Sequence, residues 1–412
     1  MNLHNKHFFR LALILIATVF YFLANIHRAG IPGAIFDILQ GDFKSGACAI
    51  TFLGAIFCYT YAFVQLIVGL LVDKIGGFRV IAAGSVLFAI GAMLFPFSSN
   101  LILLYLSRIF VGFAAATFYL STVREVKKYA KDSNFSLAVS YILFFGYSGG
   151  IIANAPLVLC VNNLGWRNVF SFIGFFTLVL SILYLIILAL FRPVHIEKET
   201  KFSLSPFKEI LSNKKNITLY IFGGVNYGLY YVLQSVIGKK FLQDFCNFDI
   251  NKAAVILSIM ALICACAGTI TAFISKCMNN KRAPIFKLVS VLSFISFLTV
   301  FLCLAFDFHT KLIAFVFLIP AFIGSISPLL ILSIHLINRY EICATAVSIQ
   351  NFGFFMTVGI LGTLCGALMN VFKPNEINGV LIYGNQSYML VFGLFLLLSI
   401  VEMFFAFKIE DK

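Results

Sequence analysis

Long apolar segments alternate with short polar loops along almost the entire chain. Several exceed about 18 residues without a charged side chain, for example Ser133–Gly165 and Ile342–Phe372. This length predicts helices that cross a membrane rather than helices that pack in the core of a soluble domain. We count twelve such spans, with the approximate boundaries 9–38, 45–72, 80–98, 100–122, 136–160, 167–191, 216–238, 252–275, 285–306, 310–336, 343–371 and 387–408.

The longest polar interruption separates the sixth span from the seventh. It covers residues 192–215 and mixes lysine with glutamate. We therefore predict an N-terminal six-helix bundle over 1–191, a cytoplasmic linker over 192–215 and a C-terminal six-helix bundle over 216–412.

Composition supports a membrane protein. The chain has 412 residues, of which 61% are hydrophobic and 11% charged, whereas a soluble domain averages about 45–50% apolar and about 25% charged residues. The net charge of +14 does not favour a nucleic-acid partner, because the cations are spread over short loops. Roughly three times as many Lys and Arg fall on one side of the predicted spans as on the other, which predicts that both termini are cytoplasmic.

The ten cysteines follow neither a disulfide nor a metal-ligand spacing. We interpret them as small apolar packing residues. No metal and no cofactor are expected, and the chain shows no nucleotide-binding loop.

The most specific motif is the loop between the second and third spans, which reads Gly-Leu-Leu-Val-Asp-Lys-Ile-Gly-Gly-Phe-Arg over 69–79. It resembles the signature loop of the major facilitator superfamily, Gly-x-x-x-Asp-Arg/Lys-x-Gly-x-Arg/Lys. The resemblance implies an all-α membrane protein with twelve transmembrane helices in two six-helix halves. The loop after the eighth span has the corresponding place and basic charge but lacks the Gly and Asp.

The resemblance also implies gating residues. Asp73 would help to latch the two halves on the cytoplasmic side, with Arg79 and Arg124 as its partners. A carboxylate there can accept hydrogen bonds from a helix N-terminus; the alternative is a solvated loop charge. Arg108 with Gly112 resembles the fourth-helix pattern Arg-x-x-x-Gly, and an arginine at membrane depth needs a cavity or a partner.

The first span carries the main candidate for substrate contact. Asn25, His27 and Arg28 lie in a stretch that resembles the first helix of organic-phosphate antiporters and related permeases, in which an arginine contacts an anionic group. The fork of an arginine suits carboxylate or phosphate. The alternative is an interfacial arginine. His27 points about 100° away from Arg28 and is either a packing residue or a proton-coupling group. Gly30, Pro32 and Gly33 predict a kink.

In the second half, Asn226, Tyr230 and Gln234 have the spacing i, i+4, i+8 and are expected to share one helix face. Because polar groups are costly in lipid, this face is predicted to line a cavity and contact substrate. Gln350 makes a similar case in the eleventh span.

Together these features predict a secondary transporter that moves a small polar solute, an amino acid or similar carboxylate, by alternating access. The alternatives are a drug or metabolite efflux antiporter, an organic-phosphate exchanger and a non-transporting sensor. Abundant Phe, Lys, Asn and Ile point to an AT-rich bacterial genome and hence the bacterial inner membrane. The expected partners are the solute and the lipid bilayer, with protons as a candidate coupling ion. We expect a monomer, and we do not expect an enzyme.

Overall fold

The structure is a computed structural model. It describes residues 3–129, 132–191, 205–309, 311, 313–339, 342–377 and 380–411, without the side chains of 3–6, 73, 129, 132–137, 325 and 344. Most of the predicted linker therefore lies outside the described residues.

The described residues are mainly helical. The helices are α1 (Leu3–Gly30), α2 (Phe36–Phe43), α3 (Ala47–Ile75), α4 (Gly77–Leu94), α5 (Leu101–Tyr129), α6 (Asp132–Ile152), α7 (Ala155–Leu164), α8 (Trp166–Phe191), α9 (Ser205–Ser212), α10 (Lys214–Val232), α11 (Gly238–Asp244), α12 (Ile250–Cys277), α13 (Ala283–Ala305), α14 (Ile313–Ile323), α15 (Ser327–Ile337), α16 (Cys343–Met369) and α17 (Asn385–Phe407). A short antiparallel hairpin of β1 (Asn375–Ile377) and β2 (Val380–Ile382) precedes α17, with Glu376 opposite Leu381.

Ten of the described helices are long and apolar enough to cross a membrane, and α6 with α7 makes an eleventh if this bent pair is one span. The bend of 46° follows Asn154. Pro156 lies in the first turn of α7, where a missing N–H is tolerated, and it cannot continue the hydrogen-bond ladder of α6. The predicted fifth span is thus a broken helix.

The kink predicted near Pro32 is confirmed as a break in the first span. Helix α1 ends at Gly30, a 3₁₀ turn covers Gly33–Ile35, and α2 then begins at Phe36. The predicted span 9–38 is therefore too long for a single helix.

The predicted seventh span is helical but does not meet the same test of length and apolarity. Helix α10 runs into a π-helical turn over Leu233–Ile237 and continues as α11. Polar residues interrupt its apolar character, including Asn226 and Gln234. The count of twelve spans is thus consistent with the helices but exceeds the number that pass on composition.

Contacts divide the chain into two compact units. Unit 1 comprises 1–30 and 56–202, and unit 2 comprises 31–55 and 203–412. These units differ from the predicted bundles because residues 31–55, which include α2 and the start of α3, pack with the C-terminal helices. The predicted bundle boundaries stay a prediction.

Close helix packing in unit 1 depends on small residues. A Cβ at Gly91 would lie 2.9 Å from the carbonyl oxygen of Ser107, and one at Gly112 would lie 2.7 Å from that of Phe57. Without a side chain at these positions, α4 and α3 approach α5 closely. Arg108, between these contacts on α5, is therefore held in the helical core of the unit.

Candidate functional site

Arg28 and Asn25 form a hydrogen-bonded pair on one face of α1. They are three residues apart, so their side chains are neighbours on the helix. Arg28 Nη2 donates to Asn25 Oδ1, and Asn25 Nδ2 donates to the carbonyl oxygen of Tyr21 at 2.8 Å. Asn25 is buried and Arg28 half-buried. The pair holds a guanidinium in a defined direction inside a largely apolar helix.

Four tyrosines gather beside this pair in unit 1. The ring centroid of Tyr21 lies 5.4 Å from that of Tyr119 and 6.1 Å from that of Tyr147. Arg28 is within electrostatic reach of Tyr21 and Tyr61. We call Asn25, Arg28 and these four tyrosines the arginine–tyrosine cluster. It combines one fixed cation with hydroxyl groups that can both donate and accept hydrogen bonds.

Arg108 is fully buried on α5, and its guanidinium carbon lies 4.7 Å from the centre of the Phe57 ring. It is also within electrostatic reach of Cys58, as Arg28 is. A guanidinium over an aromatic face gains a cation–π attraction that is strongest when water is excluded. Arg108 thus adds a second buried cation to unit 1.

His27 faces the other side of α1 from Arg28. Its ring lies 5.6 Å from Phe88, 5.7 Å from Phe170 and 6.5 Å from Phe95. Neither ring nitrogen has a hydrogen-bond partner among the described residues. Of the two predicted roles, this aromatic surrounding supports packing.

At the start of α4, the carboxylate that accepts from the helix N-terminus belongs to Glu125. Glu125 Oε1 accepts from the Gly77 backbone N–H at 2.7 Å and pairs with Lys128 Nζ at 2.6 Å. The side chain of Asp73 lies outside the described residues. Arg79 is exposed on α4, and Arg124 is half-buried on α5 beside Glu125. Sequence analysis missed Glu125, although its place four residues before a lysine-rich helix end was visible.

In unit 2, Asn226 takes part in a buried network with an acid. Its Nδ2 donates to Glu402 Oε1 at 2.8 Å, and Ser293 Oγ donates to Glu402 Oε2 at 2.8 Å. All three residues are buried. The amide predicted for substrate contact is thus already engaged by a carboxylate from α17.

Tyr230 and Gln234 follow Asn226 along α10 but meet different surroundings. A Cβ at Gly324 would lie 2.5 Å from the Tyr230 ring, so that ring packs against the 3₁₀ turn before α15. Gln234 lies inside the π-helical turn that begins at Leu233. A π turn adds a residue per turn, which alters the face on which Gln234 projects.

Gln350 is fully buried on α16, and neither its Oε1 nor its Nε2 has a hydrogen-bond partner within the described part of the chain. It sits across from Gly223, where an added Cβ would come within 2.9 Å of its Nε2. Tyr227 stacks on Phe354, one turn along α16, at 4.8 Å. A buried amide without partners is costly, so Gln350 is a place where a polar ligand would lower the free energy.

A second charged network, which sequence analysis missed, joins residues 31–55 to the C-terminal helices of unit 2. Lys240 Nζ lies 2.7 Å from Asp37 Oδ1 and 2.9 Å from Asp244 Oδ1. Lys239 Nζ donates to the carbonyl oxygen of Ala34 at 2.7 Å. Both lysines are only 1% exposed. The sequence places both lysines directly after the predicted seventh span, where a cation is expected to face water, and so does not indicate this burial.

Tyrosines complete the network. Asp244 Oδ2 accepts from the Tyr388 hydroxyl at 2.8 Å and from the Tyr383 N–H at 3.0 Å. Burial raises the pKa of Asp244 to about 6, although Lys240 and these donors act in the opposite direction. Burial lowers the pKa of Lys239 to about 8. Burial also acts to lower the pKa of Lys240, but Asp37 and Asp244 outweigh it and the pKa is raised.

The described residues contain no group of three or more His, Cys, Asp or Glu side chains that could hold a metal ion.

Comparisons with known proteins identify the fold. Two solved structures superpose along nearly their full lengths: a bacterial homologue of the human lysosomal transporter Spinster, inward-facing and unoccupied (TM-score 0.72, 13% identity, 99% of this chain and 97% of that one), and a mutant of the nucleoside transporter NupG (TM-score 0.71, 16% identity, 96% and 99%). At these identities the likeness shows the fold alone.

Curated relatives match over shorter segments. SauU of Cupriavidus necator, named a probable sulfoacetate transporter, is 23% identical over 164 residues, which are 40% of this chain and 38% of SauU. Probable anion transporter 1, chloroplastic, of Oryza sativa subsp. japonica is 24% identical over 167 residues, which are 40% of this chain and 31% of that protein. The chain thus spans only about a third of the length of these curated relatives.

The sequence model of the Major Facilitator Superfamily matches residues 13–363. This match covers most of the chain and agrees with the motif over 69–79 and with the fold of the solved transporters. The chain is a multi-pass membrane protein that belongs to the Major Facilitator Superfamily.

Proposed function

We propose that this protein is a secondary transporter that moves a small organic anion, an amino acid or similar carboxylate, across the bacterial inner membrane by alternating access. The anion binds the arginine–tyrosine cluster of unit 1. The single observation that carries the proposal is the guanidinium of Arg28, held by Asn25 and within electrostatic reach of Tyr21 and Tyr61.

The physics of this cluster favours a carboxylate. A guanidinium presents its N–H donors in a planar fork that matches two carboxylate oxygens. In a site with few water molecules, such a charge-assisted pair is stronger than in solvent. Tyr61 and Tyr147 bring phenol hydroxyls to the same cluster, and a phenol hydroxyl can donate or accept a hydrogen bond with the neutral groups of a solute.

The names of the relatives support an anionic solute. SauU is named for sulfoacetate and the rice protein for anions. Sulfoacetate carries a carboxylate and a sulfonate, and both suit an arginine. These names speak of those proteins, and the corresponding property of this chain is our proposal.

Proton coupling is a further part of the proposal that needs a titrating group. Glu402 is a fully buried acid on α17 of unit 2, with a hydrogen-bond donor on each oxygen. We propose Glu402 rather than His27 as the group to examine, because the ring nitrogens of His27 have no hydrogen-bond partner within the described residues.

Ligand binding to the purified full-length protein tests the proposal. Thermal shift is measured with pairs of small molecules that share a skeleton, one a carboxylate and the other its neutral amide. We expect carboxylates to stabilise the wild type and to lose this effect in Arg28→Ala, with partial recovery in Arg28→Lys, since lysine keeps the charge but not the fork.

Lys252→Ala is the matched control, because Lys252 is an exposed cation on α12. It is expected to behave as the wild type. Equal stabilisation by the amides, or an unchanged response in Arg28→Ala, would contradict the assignment and favour a drug or metabolite efflux antiporter.

A further inference from the structure

A basic cavity of about 260 Å³ lies in unit 2, and no residue of the arginine–tyrosine cluster lines it. It is bounded by the start of α10, the end of α15 and the chain after α17. Four cations and two acids line it, namely Lys214, Lys215, Arg282, Lys408, Glu410 and Asp411. By the predicted orientation this cavity opens towards the cytoplasm.

Arg282 is the unusual member of this lining. It is only 8% exposed, and its Nε and Nη1 have no hydrogen-bond partner in the part of the chain that the structure describes. Its nearest acid is Asp411, with 3.8 Å between Arg282 Nε and Asp411 Oδ1. That separation is beyond a hydrogen bond.

Asp411 is engaged elsewhere. Its Oδ1 accepts from the backbone N–H of Arg282 at 2.7 Å, and both its oxygens accept from the backbone N–H of Ala283 at 3.1 Å. Asp411 thus caps the N-terminus of α13, an arrangement that stabilises a helix start. The carboxylate that should satisfy the guanidinium is oriented by the backbone instead.

The ion pair with Asp411 leaves Nε and Nη1 of Arg282 without a hydrogen bond among the described residues. Buried charged groups are costly unless they are both paired and hydrogen-bonded, so an anion with hydrogen-bonding oxygens would stabilise this guanidinium. The first turn of α10 adds Lys214 and Lys215, both exposed side chains that can reach the cavity. Positive charge therefore exceeds negative charge around a small cavity. Its volume is below the range of about 300–1,000 Å³ typical of sites for drug-sized ligands, so the occupant is small.

We propose that this cavity binds a phosphate-bearing anion, with Arg282 as the central contact and the lysines of α10 as its outer contacts. Tetrahedral phosphate oxygens match both the fork of an arginine and the point charges of lysines. Two sources offer this chemistry: the headgroup of an anionic phospholipid at the membrane surface, as basic pockets between transmembrane helices accept, and free phosphate in solution.

The test uses the full-length protein and separates the two sources. In one arm the protein is placed in nanodiscs of phosphatidylcholine with phosphatidylglycerol, and the lipids retained after extraction are counted by native mass spectrometry. In the other arm, delipidated protein in neutral detergent is titrated with inorganic phosphate at constant ionic strength, and the unfolding temperature is followed.

Arg282→Gln is compared with Lys281→Ala, which removes a neighbouring cation that does not line the cavity. We expect the wild type and Lys281→Ala to retain phosphatidylglycerol, or to be stabilised by phosphate, and Arg282→Gln to lose most of that effect. Retention of the lipid identifies a headgroup site, and a response to phosphate alone identifies a site for free phosphate.

If Arg282→Gln does not fold, the double variant Lys214→Ala/Lys215→Ala keeps the proposal testable, because both side chains are exposed. It is expected to weaken binding in the same arm. No retention and no phosphate response in the wild type, or equal losses in Lys281→Ala, would overturn the proposal.

Discussion

Arg28 and Gln350 place polar groups in apolar helices in two different ways. Asn25 accepts a hydrogen bond from Arg28, and this bond within α1 offsets part of the free-energy cost of burying the guanidinium. Gln350 is fully buried with its amide atoms unpaired among the described residues. Buried polar groups in folded proteins are nearly always hydrogen-bonded. We therefore propose Gln350 as a polar contact for the transported solute.

Gln350→Leu should separate stability from transport. Leucine has a similar size and removes the unsatisfied amide, whose burial costs about 1–3 kcal/mol. The variant is therefore expected to unfold at the same or a higher temperature than the wild type, but to take up less solute in proteoliposomes. Gln386→Leu, on an exposed position of α17, is the control. A clear loss of stability in Gln350→Leu would contradict this account.

The polar residues of α10 show how much of a helix face can be predicted from sequence spacing. The i, i+4, i+8 pattern of Asn226, Tyr230 and Gln234 holds only along an uninterrupted α-helix, and the π turn at Leu233 comes before the third member. Asn226 meets Glu402, which is 176 positions away in the sequence. No local pattern reports such a partner. The contact between Arg28 and Asn25 on α1, by contrast, is of the kind that a sequence can predict, because the two residues are three positions apart on one helix.

The pairing of α1 with α6 positions the arginine–tyrosine cluster. A Cβ at Gly149 would lie 2.3 Å from the Phe22 carbonyl oxygen and 3.2 Å from Asn25 Cβ. At Gly150, the next residue, the nearest atom would be Ala29 Cβ at 3.9 Å. One glycine is thus required for helix contact and its neighbour is not.

Gly149→Ala is expected to push α6 away from Asn25, lower the unfolding temperature and abolish carboxylate binding. Overpacking of this kind typically costs about 1–3 kcal/mol. Gly150→Ala should fold at least as well as the wild type, since alanine favours a helix over glycine by up to about 1 kcal/mol. Thermal unfolding with and without carboxylate measures both effects. Similar behaviour of the two variants would be evidence against close α1–α6 packing.

The Gly149 contact shows that a small residue in the predicted fifth span allows close packing against α1. The break between α6 and α7 was harder to predict, because a proline in the first turn of a helix and a proline in a helix interior look alike in the sequence. Pro320 lies inside α14 and Pro328 begins α15. Whether a proline begins a helix or lies inside one depends on the packing of the neighbouring helices.

Across the full chain, the fold could be predicted from the motif over 69–79 and from the alternation of long apolar segments with short polar loops. The bilayer sets the length of each membrane-spanning helix and requires its side chains to be mostly apolar. The grouping of residues 31–55 with the C-terminal helices did not follow. It rests on long-range contacts, such as Lys240 with Asp37 and Gln40 with Tyr383 at 2.7 Å.

We expect this network to make the stability of unit 2 depend on pH. The pKa of Asp244 is about 6, above its ordinary value of 3.8. Its contribution to the free energy of unfolding is therefore fully present below about pH 4 and is lost as the pH rises through about 6. We expect the wild type to lose more stability than Asp244→Asn over this interval. Thermal unfolding in detergent at a series of pH values gives the comparison.

Asp249→Asn provides a control, because the contribution of Asp249 to stability changes with pH in the opposite direction. Asp249 caps α12, and the backbone N–H of Lys252 lowers its pKa. Its contribution is present above the unfolded pKa and is lost as the pH falls. If Asp244→Asn keeps the full pH dependence of the wild type, Asp244 is not the titrating group of the network.

Uptake into proteoliposomes tests the transport of an anion through the arginine–tyrosine cluster most directly. Labelled amino acids and small carboxylates are offered to wild type and Arg28→Ala, each with and without an inward proton gradient. We predict carboxylate uptake by the wild type and its loss in Arg28→Ala at equal protein content. Wild-type uptake that is faster with the proton gradient than without it would indicate proton coupling. Uptake that persists in Arg28→Ala, or no uptake of any carboxylate by the wild type, would contradict the account.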